Sequence, residues 1–148
     1  MAKAYYSTTF REPPAEIWKI VRDFNNYPVW VSGAGESQIE DRKSGDAVGA
    51  IRSVQYKGRH IRQRLLALSD VERSQTYEFC GASSLPMTGF KATLRIFEIV
   101  DGGGAFVEWW ADFRLRGGTA GGALRNAVQL VRRLARIAPY HAWRGNLH

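Results

Sequence analysis

The chain has 148 residues, 45% of them apolar and 24% charged, with a net charge of +7. These are the proportions of an ordinary globular domain large enough to bury a real core. No apolar run reaches bilayer length, "MAKAYYSTTFREPP" has no signal-peptide core, and the single cysteine, Cys80, excludes an internal disulfide framework. The expectation is therefore one cytoplasmic domain over residues 1–148.

In chain order, "KAYYSTTF" (3–10) is rich in aromatic and β-branched residues and predicts a strand. "REPPAEIWKIVRDFNNYP" predicts a helix, with Pro14 in the first turn, Ile17, Val21 and Phe24 on one face, and Asn25, Asn26 and Pro28 ending it. "YPVWVSG" has room for a turn or a second small helix. From about 35 to 115 the texture changes to six strands: "GESQIED", "VGAIRSVQY", "HIRQRLLALSD", "SQTYEFCG", "FKATLRIFEIV" and "GAFVEWWADFRL". Turn signals separate them at Lys43–Asp46, Lys57-Gly58, Ser69-Asp70 and Asp101–Gly104, so the strands form an antiparallel meander. After "GGTAGG", Leu124, Ala127, Val128, Val131, Leu134, Ala135 and Ala138 follow the spacing of a long amphipathic helix ending near Pro139. One sheet with one long helix hides both apolar faces by curling round that helix, which leaves room for a cavity between them.

The basicity is local. Residues 1–112 hold fourteen Lys or Arg and all fourteen acids; residues 113–148 hold seven arginines, Arg114, Arg116, Arg125, Arg132, Arg133, Arg136 and Arg144, and no acid. Such a face suits weak contact with an anionic membrane, or simply water. Nucleic acid is not expected, because no aromatic residues interleave the arginines for base stacking.

Catalytic signatures are missing: there is no GxSxG, HExxH, GxxxxGK or paired-cysteine spacing. His60, His141 and His148 are too scattered for a metal site, and no cofactor is expected. Attention turns to polar residues on apolar strands. One face of "HIRQRLLAL" carries Ile61, Gln63, Leu65 and Ala67 and is the inward candidate. In "VGAIRSVQY" the set Ala50, Arg52, Val54 and Tyr56 competes with Gly49, Ile51, Ser53 and Gln55. Phe90, Ala92, Leu94 and Ile96 share a face. In the last strand Val107, Trp109, Ala111 and Phe113 make a wholly apolar face, while Glu108 shares the other with Phe106, Trp110 and Asp112; alternation alone leaves Glu108 in water.

"AEIWKIVRDFNNYPVWVSG", "VGAIRSV", "RQRLLALSD", "YEF", "LPMTGFKATLRI" and "FVEWWADF" together resemble the START-related, Bet v 1-like (SRPBCC) superfamily. The nearest branch is the bacterial polyketide cyclase/dehydrase group, with the plant abscisic-acid receptors as cousins. The resemblance implies an α+β helix-grip fold: a seven-stranded curved antiparallel sheet wrapped around a long C-terminal helix, with two short helices between the first two strands, enclosing an apolar cavity. By position it implies a ligand site made of Trp30, Arg52, Val54, Tyr56, Gln63, Tyr77, Phe90, Glu108 and Trp110, with Glu108 turned inward and able to pair with Arg52. The apolar face with Trp109 would then point outward and call for a homodimer or a membrane to cover it.

Pro28 stands where the receptors carry a ligand-pairing lysine, the gate loop is reduced to "YKGRH", and the latch triplet reads "SLP", which sets a hormone-receptor role aside. The fold hosts carriers and enzymes alike. The expected function is binding or transport of a small hydrophobic ligand; the alternatives are a polyketide cyclase or aromatase, and a lipid or quinone chaperone docking through its arginines.

Overall fold

The computed structural model describes residues 1–81, 87–116, 125, 126, 128, 129, 132 and 136–143. Strands β1 (Ala2–Phe10), β2 (Ala34–Ile39), β3 (Ile51–Tyr56), β4 (Arg59–Ser69), β5 (Ser74–Phe79), β6 (Met87–Glu98) and β7 (Ala105–Leu115) form one sheet. Its order is β1-β7-β6-β5-β4-β3-β2, antiparallel throughout, so the first strand pairs with the last and the others follow as a meander.

Between β1 and β2 the chain folds over the sheet as α1 (Pro14–Val21), a 3₁₀ turn (Phe24–Asn26) and the single-turn α2 (Tyr27–Trp30). Pro14 starts α1, where its missing N–H costs nothing, and Pro14, Ile17, Trp18 and Val21 are buried. The Asp23 carboxylate accepts the Asn25 N–H at 3.0 Å and starts the 3₁₀ turn. The β3–β4 hairpin turns on Lys57 (φ 46°) and Gly58 (φ 79°), two left-handed residues whose twist matches the flanking strands.

Alternation decides the faces. Arg52, Val54, Tyr56, Ile61, Gln63, Leu65, Tyr77, Phe90, Ala92, Leu94, Ile96, Val107, Trp109, Ala111 and Phe113 are all buried on the inner face, so the Arg52 set wins in β3. Ala67, expected inward, is exposed because the β4–β5 register shifts between Leu65 and Ala67; one extra residue there inverts the alternation that follows.

The expected long C-terminal helix falls mostly outside the described residues. Arg125, Asn126, Val128, Gln129 and Arg132 are helical. Residues 136–139, which the periodicity counted as helical, are not: Ile137 bridges Val31, the Ser32 N–H donates to the Arg136 carbonyl at 2.7 Å and the Ala138 N–H to the Trp30 carbonyl at 2.8 Å. Pro139 disfavours helical geometry at the residue before it, and the extended segment ties the chain's end to α2. A short helical turn, Tyr140–Trp143, places Trp143 against Phe10 with ring centroids 5.4 Å apart. No helix among the described residues is long and apolar enough to cross a membrane.

Candidate functional site

Seven of the nine expected site residues meet on the inner side of the fold: Trp30 from α2, and Arg52, Val54, Tyr56, Gln63, Tyr77 and Phe90 from the sheet, none more than 4% exposed. The other two do not. Glu108 and Trp110 are half-buried on the outer face, where the Tyr5 hydroxyl donates to Glu108 at 2.9 Å. The inward face of β7 is instead Val107, Trp109, Ala111 and Phe113, each at most 1% exposed. Burying a large apolar side chain is worth about 1.5–3 kcal/mol, so Val107, Trp109 and Phe113 together outweigh anything one carboxylate offers. The expected Arg52–Glu108 pair is therefore absent, and the apolar face assigned to a homodimer or membrane is already covered by the protein itself.

Arg52 lies fully buried at the centre. Its Nε donates to Gln63 Oε1 at 2.7 Å and one terminal nitrogen, Nη1, to the Phe24 carbonyl at 3.0 Å. The rings of Phe24 and Tyr27 lie 3.8 and 3.9 Å from its Cζ, and that of Tyr77 4.7 Å. These electron-rich faces offset part of the cost of burying a charge. Burial still pulls the guanidinium down to about 10, which leaves it cationic at neutral pH. The Tyr77 hydroxyl lies near enough to Arg52 to ease that burial, and itself accepts from Trp109 Nε1 at 2.9 Å. The second terminal nitrogen, Nη2, finds no acceptor among the described residues.

Trp30 Nε1 is the other donor in this region without an acceptor among the described residues, and its ring packs edge-on to Tyr27 at 5.4 Å. Gln75 bonds the Val21 carbonyl through Nε2 at 3.1 Å and leaves its Oε1 unengaged; Arg95 Nε, beside Phe97, is a fourth such atom. Burial pushes the Tyr27 and Tyr77 hydroxyls well up and up, so both stay neutral near pH 7.

A pocket of about 290 Å³ opens between the end of β5 and the start of β6, lined by Glu78, Phe79, Met87, Phe90, Lys91 and Arg116 among others; of the inner candidates it reaches Phe90. Phe79 stacks on Phe90 with centroids 4.1 Å apart and planes at 11°. Phe90 in turn touches Tyr77 at 6.5 Å and Trp109 at 6.3 Å, so aromatic rings run from the opening to Arg52. A wider groove of about 790 Å³ runs beside β2, lined by Asn25, Ser37, Gln38, Ser53 and Gln55 with others; it contains none of the nine candidates and is polar and open.

Phe24, Tyr27, Phe79, Met87 and Trp109 pack in the same region, although the sequence placed none of them among the candidate ligand residues. The one available signal was "DFNNYP", whose two aromatic residues sit three apart at a helix end.

A seven-stranded sheet with a lined inner face fits one family throughout. The profile of the family described as "Polyketide cyclase / dehydrase and lipid transport" matches residues 1–138. The chain belongs to this family. Solved structures agree on the fold: the protein XoxI from Bacillus cereus is similar with a TM-score of 0.79 at 22% identity, over 99% of this chain and 95% of that one. An uncharacterized protein from Bacillus thuringiensis matches with a TM-score of 0.76 at 23% identity over 90% of each chain. A protein from Nitrosospira multiformis gives 0.71 at 22% identity, again over 90% of each. A comparison with curated proteins returned no match. The family's description joins cyclases, dehydrases and lipid transport, so membership alone does not choose between catalysis and carriage.

Proposed function

We propose that this protein binds or carries a small hydrophobic ligand of lipid, polyketide or aromatic type against the inner face of its sheet, reached through the opening at Phe79 and Phe90. The observation that carries the reading is the pair of buried donors, Arg52 Nη2 and Trp30 Nε1, beside one aromatic ring in an otherwise apolar lining. Sites that hold small molecules combine apolar walls with a few placed polar groups of this sort.

Binding is favoured over cyclase chemistry by the polar groups that are buried. A guanidinium, two carboxamides (Gln63 and Gln75) and the phenols of Tyr27, Tyr56 and Tyr77 orient a guest and donate to it. Proton abstraction from a polyketide calls instead for a base near neutral pKa. The exposed Arg125 and Arg136, with Arg132 whose Nε donates to the Tyr5 carbonyl at 3.1 Å, would add an electrostatic contact with anionic lipid during delivery.

Native mass spectrometry of the purified protein tests the reading. A co-purified or added hydrophobic compound bound at one per chain supports it, with Phe90→Trp, which narrows the opening, lowering occupancy. Turnover of an aromatic polyketide mimic would move the assignment to the enzyme.

A further inference from the structure

Arg52 is a buried cation that the chain's own acids do not neutralise. All fourteen Asp and Glu residues lie among the described positions. Among the described residues, the ion pairs they form go to Arg22, Arg62 and Arg64, and Glu108 is bonded to Tyr5 on the outer face. Arg52 is held by a carboxamide, a backbone carbonyl and aromatic faces, all of them uncharged.

A purely structural strut between the 3₁₀ turn and the sheet would be complete with the bonds to Gln63 and Phe24, and a neutral side chain could make them. The fork has one arm left over, and Trp30 Nε1 lies on the far side of Tyr27 with its donor likewise uncommitted. An uncharged pair of donors would accept a carbonyl as readily as an acid. A full positive charge in a low-dielectric lining instead favours an anion, because Coulomb attraction is screened least there. At the opening Lys91 and Arg116 outnumber the one acid, Glu78, which is paired with Arg64, and a net positive mouth attracts an oppositely charged ligand.

We infer that the ligand is an acid: an aromatic or polyketide-like body whose oxyanion, a carboxylate or enolate, seats on Arg52 Nη2. This rests on the reading that a hydrophobic ligand occupies the inner face. The body would lie along Tyr77, Phe90 and Phe79, with its apolar end toward the opening.

The test uses the full chain at neutral pH and fixed salt, with N-phenyl-1-naphthylamine as the fluorescent reporter and 2-naphthoate and methyl 2-naphthoate as competitors that share one apolar body. The acid should displace the reporter at a concentration about tenfold below the ester. In Arg52→Gln the acid's advantage over the ester should shrink to within about twofold. If that variant does not fold, the wild type decides through its arginine ¹⁵Nε–H signals: the Arg52 resonance should shift with the acid and stay still with the ester. Equal binding of acid and ester overturns the inference and leaves hydrophobic binding standing. A tighter acid that spares the Arg52 resonance also overturns it, placing the head group at Lys91 and Arg116. Failure of all three compounds to bind removes the ligand reading itself, and the acid with it.

Discussion

Arg52 Nε and Gln63 Oε1 face each other across the β3–β4 ladder at 2.7 Å, both side chains sealed from water. A guanidinium in that position is expensive, yet its removal also strands the groups that accept from it. Arg52→Met alone leaves Gln63 Oε1 and the Phe24 carbonyl short of a donor and should cost about 1–3 kcal/mol. Arg52→Met with Gln63→Leu removes charge and acceptor together, and should be at least as stable as the wild type, by up to about 1–4 kcal/mol. Urea denaturation of the three proteins checks the order; a double variant less stable than the single one would refute it.

The two faces of β7 should respond oppositely. Glu108→Gln touches an exposed bond to Tyr5, and both the melting curve and ligand binding should be unchanged within error. Trp109→Ala empties the inner face and deletes the donor to Tyr77, costing about 3–5 kcal/mol. Thermal denaturation with a reporter-binding assay separates them, and a binding defect in Glu108→Gln would return that carboxylate to the site.

Asp70, in the β4–β5 turn, accepts from Arg22 Nε at 2.9 Å and Trp18 Nε1 at 2.7 Å, pinning α1 to the sheet. Arg22, and after it Trp18, hold its carboxyl below the usual range. A group depressed in the folded state lends stability that is in place above its unfolded pKa, about 4, and drains away as acid carries the pH through the lower folded value. Asp70→Asn should therefore melt at a lower temperature than wild type at pH 7, with the gap closing in strong acid. A gap that widens on acidification would contradict this sign.

At the β6–β7 turn, Gly103 (φ 78°) has open space around it, whereas a Cβ on Gly104 (φ 95°) would collide with the Phe10 carbonyl oxygen at the end of β1. Gly103→Ala should cost about 1–2 kcal/mol for the left-handed backbone alone. Gly104→Ala should cost clearly more, because the turn and β1 must also separate. Equal losses in chemical denaturation would show that the close approach is unimportant.

Hydrophobic alternation made the seven strands legible, along with the inward sets of β3, β4 and β6. It also pointed to the right face of β7: Val107, Trp109, Ala111 and Phe113 could not all be left in water. Position-by-position likeness to the receptors inverted that face, since an offset of one residue between distant relatives turns a strand over. The break at Ala67 left no mark, because "RLLALS" has no glycine or proline to announce a bulge. Arg52 could be placed beside Val54 and Tyr56, but its aromatic cage comes from Phe24 and Tyr27, brought there by the folding of α1 and α2 and invisible to any local pattern. The extended course of Ile137 was likewise set by a bridge to Val31, far away in sequence.

The placement of Glu108 and Asp112 between inward rings also guards the folding of the sheet. β7 pairs with β1, its most distant neighbour along the chain, and so docks among strands offering several rungs. A slip by a single rung would sink two carboxylates among Tyr77, Phe90 and Leu94 and turn Val107, Ala111 and Phe113 out to water, so the mispaired chain gains little from closing. The alternating acids of "VEWWAD" thus act as a proofreading device, built into the sequence before any ligand is met.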